Sequence, residues 1–460
     1  MVQYERGSEE LSEVPFRDVD VNEQGHMIIG GCDAVELART YGTPLYVLDE
    51  DRVRQACRAY RDAFSRYYPR GLAVYAGKAL LTTGVCRIVA QEGMGLDVVS
   101  GGELYTALAA GFPPDRIYFH GNNKSVDELR LALSEGVGRI VVDNLGELEL
   151  LEALAREQGR TADILLRITP GVEAHTHTYI RTGQLDSKFG IPIAGGQGLA
   201  AARRAAESAR LRLVGYHCHI GSQIFDLSSY EAAIVLMMEF LAEAQRATGV
   251  AAKELDLGGG LGIRYTAEDR PPTPEELVRR IADVVRQEAA RHGIAAPALA
   301  LEPGRSIVGE AGVTLYTIGF VKRIPGVRTY AAVDGGMADN PRVALYQARY
   351  EAVVANKANQ PRLETVTIAG KSCESGDVLI RDLEVPPLES GDVLAVLSTG
   401  AYNYSMASNY NRFPRPAMVL VSRGRHDLLV ARETYADLIR HDRIPRWLEE
   451  PAGEVAEAAG

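Results

Sequence analysis

Lys78 lies in the run YAGKALL (75–81), a single ammonium among apolar neighbours. A lysine at such a place is commonly a solvated charge. Inside an apolar run, however, desolvation is expected to lower its pKa and make the amine a nucleophile toward an aldehyde. Two glycine-rich stretches offer an anion a home: LDLGGG (255–260) and LALEPGR (299–305), the second bringing Arg305. Glycine lets backbone N–H groups approach anionic oxygens with no Cβ in the way, although a flexible turn would read the same. Ser222, at the end of LVGYHCHIGS (213–222), adds a hydroxyl. A nucleophilic lysine beside a phosphate site suggests pyridoxal 5'-phosphate. That cofactor needs an acid near its ring nitrogen, for which Glu302 is the candidate, and packing on its ring face, for which His219 is the candidate. A hydrogen-bonded core histidine is the plainer reading of His219.

These residues can meet only if the chain places them on one rim. Between about residues 74 and 305, short β-branched runs alternate with segments of helical period. The runs are 73–79, 95–100, 116–121, 139–144, 163–168, 213–222, 255–260 and 299–305. The helix-like stretches include 126–136, 145–159, 200–209 and 274–293. This pattern predicts a (β/α)8 TIM barrel, with a doubly wound open sheet as the alternative. In such barrels chemistry collects at the C-terminal strand ends, where Lys78, Asp97, His120, Asp143, His217, the Gly258–Gly260 run and Glu302 all fall. After residue 310 the texture becomes β-like, and an antiparallel β domain is expected. The division is an N-terminal arm and strand joining the β domain (1–43), the barrel (44–309) and the C-terminal β domain (310–460). HMIIGG (26–31) is the N-terminal piece expected to add that strand.

Three segments of the β domain carry reactive types: DGGMADN (334–340) leading to Arg342 and Tyr346, CESGD (373–377), and AYNYS (401–405). Turn chemistry accounts for much of each. A cysteine between serine and glutamate is less easily explained by packing, and Cys373 is a candidate proton donor.

Metal is the competing chemistry. His217 and His219, two apart on a strand, share a side, and His120, Asp143, His175 and His177 are further possible ligands. The glycine loops would then serve no purpose, so no metal is expected. A net charge of -11 argues against nucleic acid or an anionic membrane as a partner. Five cysteines without a CxxC pair suit a reducing compartment. The polar, acidic N-terminus does not read as a secretory signal, and no stretch reaches the roughly 18 apolar residues of a membrane span. A cytoplasmic enzyme is expected.

The chain resembles the fold-type III pyridoxal phosphate decarboxylases, which pair an alanine-racemase-like barrel with a C-terminal β domain. The resemblance runs from about Gly30 to Trp447 and is carried by YGTPLYVLDE (41–50), YAGKAL (75–80), GLDVVSGGEL (95–104), FHGNNKS (119–125), DSKFGI (186–191), GYHCHIGSQ (215–223), LDLGGGLG (255–262), EPGRS (302–306), VDGGMADN (333–340), CESGD (373–377) and SMASNYNRFPRP (405–416). The branch it is most similar to acts on meso-diaminopimelate, releasing carbon dioxide and leaving L-lysine. The resemblance implies that Lys78 carries the cofactor as a Schiff base and that Asp97 hydrogen-bonds near that lysine. It places His219 on the ring, Glu302 at its nitrogen, and Ser222, Gly259, Gly260, Gly304, Arg305 and Tyr402 about the phosphate. Arg305, Arg342, Tyr346, Glu374 and Tyr402 would hold the substrate, and Cys373 would deliver the proton. It also implies a homodimer whose Cys-Glu segment completes the partner's site. One departure is noted: Pro341 precedes Arg342 in NPRVALY, where the family reads IRPALY-like, so the path near Arg342 is expected to shift. A related decarboxylase or racemase for another basic amino acid is the alternative. A non-catalytic cofactor-binding regulator is a further one, opposed by intact Lys78, Cys373 and Glu302.

Overall fold

The computed structural model describes residues 19–171 and 187–448. Asp186 of the DSKFGI motif, His175 and His177 lie outside the described residues. Eight parallel strands, Gly71–Ala76, Gly95–Val98, Ile117–Phe119, Arg139–Val142, Ala162–Thr169, Leu211–His217, Glu254–Asp256 and Ala298–Leu301, follow one another around a barrel. The eighth pairs with the first (Leu299 with Gly71, Leu301 with Ala73), and the fifth pairs with the sixth. That closure excludes the open doubly wound sheet.

Helices follow the strands, and their first turns are fixed by side chains read directly from the sequence. Thr82, Ser100, Asn144 and Thr273 each cap the helix they precede, and Ser125 with Glu128 forms a reciprocal capping box. The expected helix at 200–209 forms instead over Gln197–Ala206. The polar residues Glu207 and Ser208, which the compositional reading included, lie past its end.

Parity along each strand decides what faces inward. Leu96, Phe119, Ile140, Leu166 and Leu255 join the large core beneath the helices. Val74, Tyr118, Val141, Leu165 and Ala300 form a separate apolar layer inside the barrel. Two residues further along the same inward faces come Ala76, His120, Asp143, Arg167 and Glu302. The apolar layer is therefore a floor, and the polar residues sit above it at the C-terminal mouth.

The second domain is a mixed rather than purely antiparallel sheet. Gly312–Ile324 pairs antiparallel with Arg328–Val333, Val393–Leu397 and Leu45–Asp49. Arg328–Val333 runs parallel to Glu364–Ala369, and Leu45–Asp49 runs parallel to Ala417–Ser422. The strand lent by the N-terminal region is thus Leu45–Asp49. Among the described residues Ile28–Ile29 pairs only with Cys32–Asp33, as a hairpin whose Met27 and Ile29 pack on the sheet. Leu45–Asp49 reads as a continuous apolar run because both of its faces are covered, which concealed its place in the second domain. Among the described residues no helix is long and apolar enough to cross a membrane.

Candidate active site

Lys78, His219, Ser222, Gly259, Gly260, Glu302, Gly304, Arg305 and Tyr402 line one small cleft at the barrel mouth. Lys78 lies in a single 3-10 turn, Gly77–Ala79, that follows the first strand directly. Its neighbours Ala76, Gly77, Ala79 and Leu80 are buried, whereas its own side chain opens to the cleft. The sequence expectation of a lowered pKa is therefore corrected. Burial of the position pulls the ammonium pKa down, but Tyr402, Asp97 and Glu302 outweigh it and the net direction is up. The site is built to keep a positive charge at this nitrogen.

The glycines have a spatial reason. A Cβ on Gly259 would lie 2.1 Å from the Glu302 carbonyl oxygen, and one on Gly304 would lie 2.9 Å from the Ala76 Cβ. Gly260 has φ +126° and lies against Gly221 and Tyr230. Backbone approaches this close leave a cradle that only glycine can line. Arg305 donates to the Ser222 hydroxyl at 2.9 Å and to the Tyr265 hydroxyl at 2.6 Å, and its guanidinium stands 4.8 Å over the Tyr402 ring. A cationic fork, a hydroxyl and glycine backbone together suit a phosphate group.

Tyr402 comes from the second domain. Its backbone is in the left-handed region (φ +64°), uncommon for a residue with a Cβ. Its N–H donates to the Ala79 carbonyl at 2.8 Å, and the Ser405 hydroxyl donates to the same oxygen at 3.1 Å. The β domain is thus tied to the residue next to Lys78.

Beneath the cleft lies a buried polar cluster. His120 Nε2 lies 2.6 Å from one Glu302 carboxylate oxygen, and His217 Nε2 lies 3.4 Å from the other. Asp97 lies 3.9 Å from His120, and the two imidazole rings meet edge to face at 4.8 Å. Burial pushes the Glu302 pKa up, but the two histidines overcome it and hold the carboxyl well below its ordinary range. Asp256 is pushed well up, by burial and then by Glu302. Burial raises Asp97 to about 6 and lowers His217 to about 4. The ligand atoms of His120, His217, Asp256 and Glu302 lie within 4.8 Å of one another, a set that could chelate a cation. Lys78 and Arg167 already supply positive charge there, and Asp143, the other candidate ligand from the strand ends, instead accepts the Gly190 N–H and faces Arg167.

Arg342 begins the short helix Arg342–Tyr346, with Pro341 just before it as a residue that needs no N–H partner. It is buried, donates to the Tyr350 hydroxyl and stands 4.9 Å over the Tyr265 ring. Tyr265 therefore links Arg305 and Arg342. Sequence reading missed Tyr265 and Tyr350, for each is one aromatic among ordinary loop residues. It also treated His120 and His217 as metal candidates only, although their inward parity with Glu302 was readable. The structure does not bring Tyr346, Cys373 or Glu374 into the cleft. Cys373 and Glu374 are exposed on a loop whose Cys373 N–H donates to Asn411.

Comparison with known proteins agrees with this geometry. Residues 50–309 match the pyridoxal-dependent decarboxylase, pyridoxal binding domain. The chain is 52% identical to diaminopimelate decarboxylase of Bacillus subtilis (strain 168), over 92% of this chain and 96% of that protein. The chain belongs to the diaminopimelate decarboxylase family. It is 45% identical to the Mycobacterium tuberculosis (strain CDC 1551 / Oshkosh) diaminopimelate decarboxylase, over 92% of this chain and 96% of that one. The crystal structure of the M. jannaschii enzyme in complex with L-lysine superposes with a TM-score of 0.87 at 38% identity, covering 94% of this chain and 98% of that one. As a member of this family the chain uses pyridoxal phosphate, and the cleft fits it. The glycine cradle suits the phosphate, Lys78 suits the aldehyde, and Glu302, set between two imidazoles, suits the ring nitrogen.

Proposed function

We propose that this chain converts meso-2,6-diaminopimelate to L-lysine and carbon dioxide. The observation that carries the reading is that Lys78, Glu302 and the Gly259–Gly260/Gly304–Arg305 cradle share one cleft. The bound cofactor supplies an electron sink for the pair left when carbon dioxide departs. Lys78 would hold the cofactor at its aldehyde, with Asp97 beside the ammonium. Glu302 would pair with the ring nitrogen, and His219 would pack on the ring face. Ser222, Gly259, Gly260, Gly304, Arg305 and Tyr402 hold the phosphate end. Arg305 and Arg342, joined through Tyr265, grip the carboxylate that must be retained, because guanidinium meets carboxylate in a two-pronged geometry. No metal ion takes part. Two similar structures, from M. jannaschii and Helicobacter pylori, hold L-lysine, the product expected here.

Cys373 and Glu374 complete the site from a second copy, with Tyr346 among the residues that hold the substrate, so the working unit is a cytoplasmic homodimer. Cys373 returns a proton to the substrate Cα, and Glu374 receives the distal ammonium. Their place outside the cleft of their own chain supports this reading. Carbon dioxide release should be large with meso-diaminopimelate and small with D,L-lysine, ornithine or arginine. Faster release from one of the latter would reject diaminopimelate as the substrate. Mixing the inactive variants Lys78→Ala and Cys373→Ala should restore turnover. No recovery after verified subunit exchange would reject the shared site.

A further inference from the structure

Glu302 is contacted by an imidazole at each carboxylate oxygen, an arrangement that its role as a ring-nitrogen partner does not by itself require. The two histidines come from the third and sixth barrel strands, and the glutamate follows the eighth. His120 is buried and is not among the cleft-lining residues; it meets the chemistry through Glu302, at 2.6 Å, and more distantly through Asp97, at 3.9 Å. The titratable and charged groups facing this cluster include Asp97, Asp256, His217, His219, Lys78 and Arg167. His217 is pushed down to about 4 by burial and is therefore neutral near pH 7.

We propose that His120 is a positioning residue that keeps Glu302 a weak base, so that the shared proton rests on the cofactor's ring nitrogen and not on the carboxylate. The inference rests on the reading of the cleft as the pyridoxal phosphate site. The physical step is short. A carboxylate that receives N–H donors is stabilised as the anion and loses basicity. At 2.6 Å, the His120 Nε2 is the nearer of the two imidazole nitrogens, and on this proposal it carries the proton that faces the carboxylate. Without it, a buried Glu302 is driven toward the neutral acid, because burial raises a carboxyl pKa. The proton then moves from ring nitrogen to carboxylate, the ring loses its positive charge, and the electron sink weakens. The phosphate cradle and Lys78 are untouched by the change, so cofactor retention is not the property at risk.

The test is nitrogen NMR of protein loaded with cofactor labelled with 15N at the ring nitrogen, alongside kinetics. Wild type should give the protonated-ring signal, and His120→Ala should move toward the unprotonated value. His120→Ala should also lower kcat at least tenfold with KM held within about twofold, the pattern of a group acting in the transition state. His120→Gln, which keeps an N–H donor, should recover much of both properties. An unchanged ring-nitrogen signal in folded, loaded His120→Ala would overturn the inference. Wild type offers a second check should that variant fail to fold: histidine nitrogen NMR must find His120 Nε2 protonated, and an unprotonated Nε2 overturns the inference equally. Failure of the underlying reading is distinguishable, since wild type would then bind no cofactor at all.

Discussion

The barrel mouth and the Cys373–Glu374 loop both concentrate reactive side chains, on opposite structural terms. At the mouth, the buried Asp97, His120, His217, Asp256 and Glu302 lie within a few ångströms of one another, above an apolar floor. In the loop, Cys373 and Glu374 stand exposed and reach no residue of the cleft. The residues of the mouth meet within one chain; the loop, on the proposed function, acts against a second copy. Between them stands the 334–350 segment, where Arg342 is buried and reaches Arg305 through Tyr265. The lesson is a division of labour. On the proposed function, the barrel supplies most of the cofactor cleft, with Tyr402 added from the second domain, while Arg342, Cys373 and Glu374 of the second domain act on the substrate.

Cys373→Ala tests that division with the largest effect. Turnover should fall by about 10²–10⁴-fold, the usual contribution of a placed proton donor, while the cofactor's visible band stays. A lost band would erase the comparison, because the loop would then belong to the cofactor site. Arg342→Lys is expected to act next most strongly. It keeps the charge but not the fork, so KM for diaminopimelate should rise about tenfold or more, in line with a charge-assisted hydrogen bond. An unaltered KM would remove Arg342 from substrate recognition.

A smaller, stability-level effect comes from Asp339, which anchors the 334–340 loop. It accepts the Gly336 N–H at 3.0 Å and the Tyr316 hydroxyl, and burial raises its pKa to about 7. A carboxyl raised on folding gives stability that is fully present below the unfolded pKa and is lost as pH rises through the folded one. Thermal stability should therefore decline from the ordinary aspartate range up to about pH 7. Asp339→Asn, which cannot ionise, should flatten that decline. An equal decline in the variant would assign the pH dependence to other groups.

The barrel was legible because its strands are short apolar runs whose C-terminal ends carry Lys78, Asp97, His120 and Glu302 in chain order. The cradle was legible because glycine runs report close backbone approach. Three features were not. The direction of the Lys78 pKa depends on Asp97, Glu302 and Tyr402, which are distant in sequence. Leu45–Asp49 is as apolar as a barrel strand and reveals its sheet only through its partners. Tyr265 matters because two arginines, 40 and 77 residues further along the chain, converge on its ring and hydroxyl.

The central claim is that Lys78 carries the cofactor. Borohydride reduction of the loaded protein, followed by peptide mapping, should place the reduced pyridoxyl group on the peptide containing Lys78, with none fixed in Lys78→Ala. A pyridoxyl group on another lysine, or one that persists in Lys78→Ala, would contradict it.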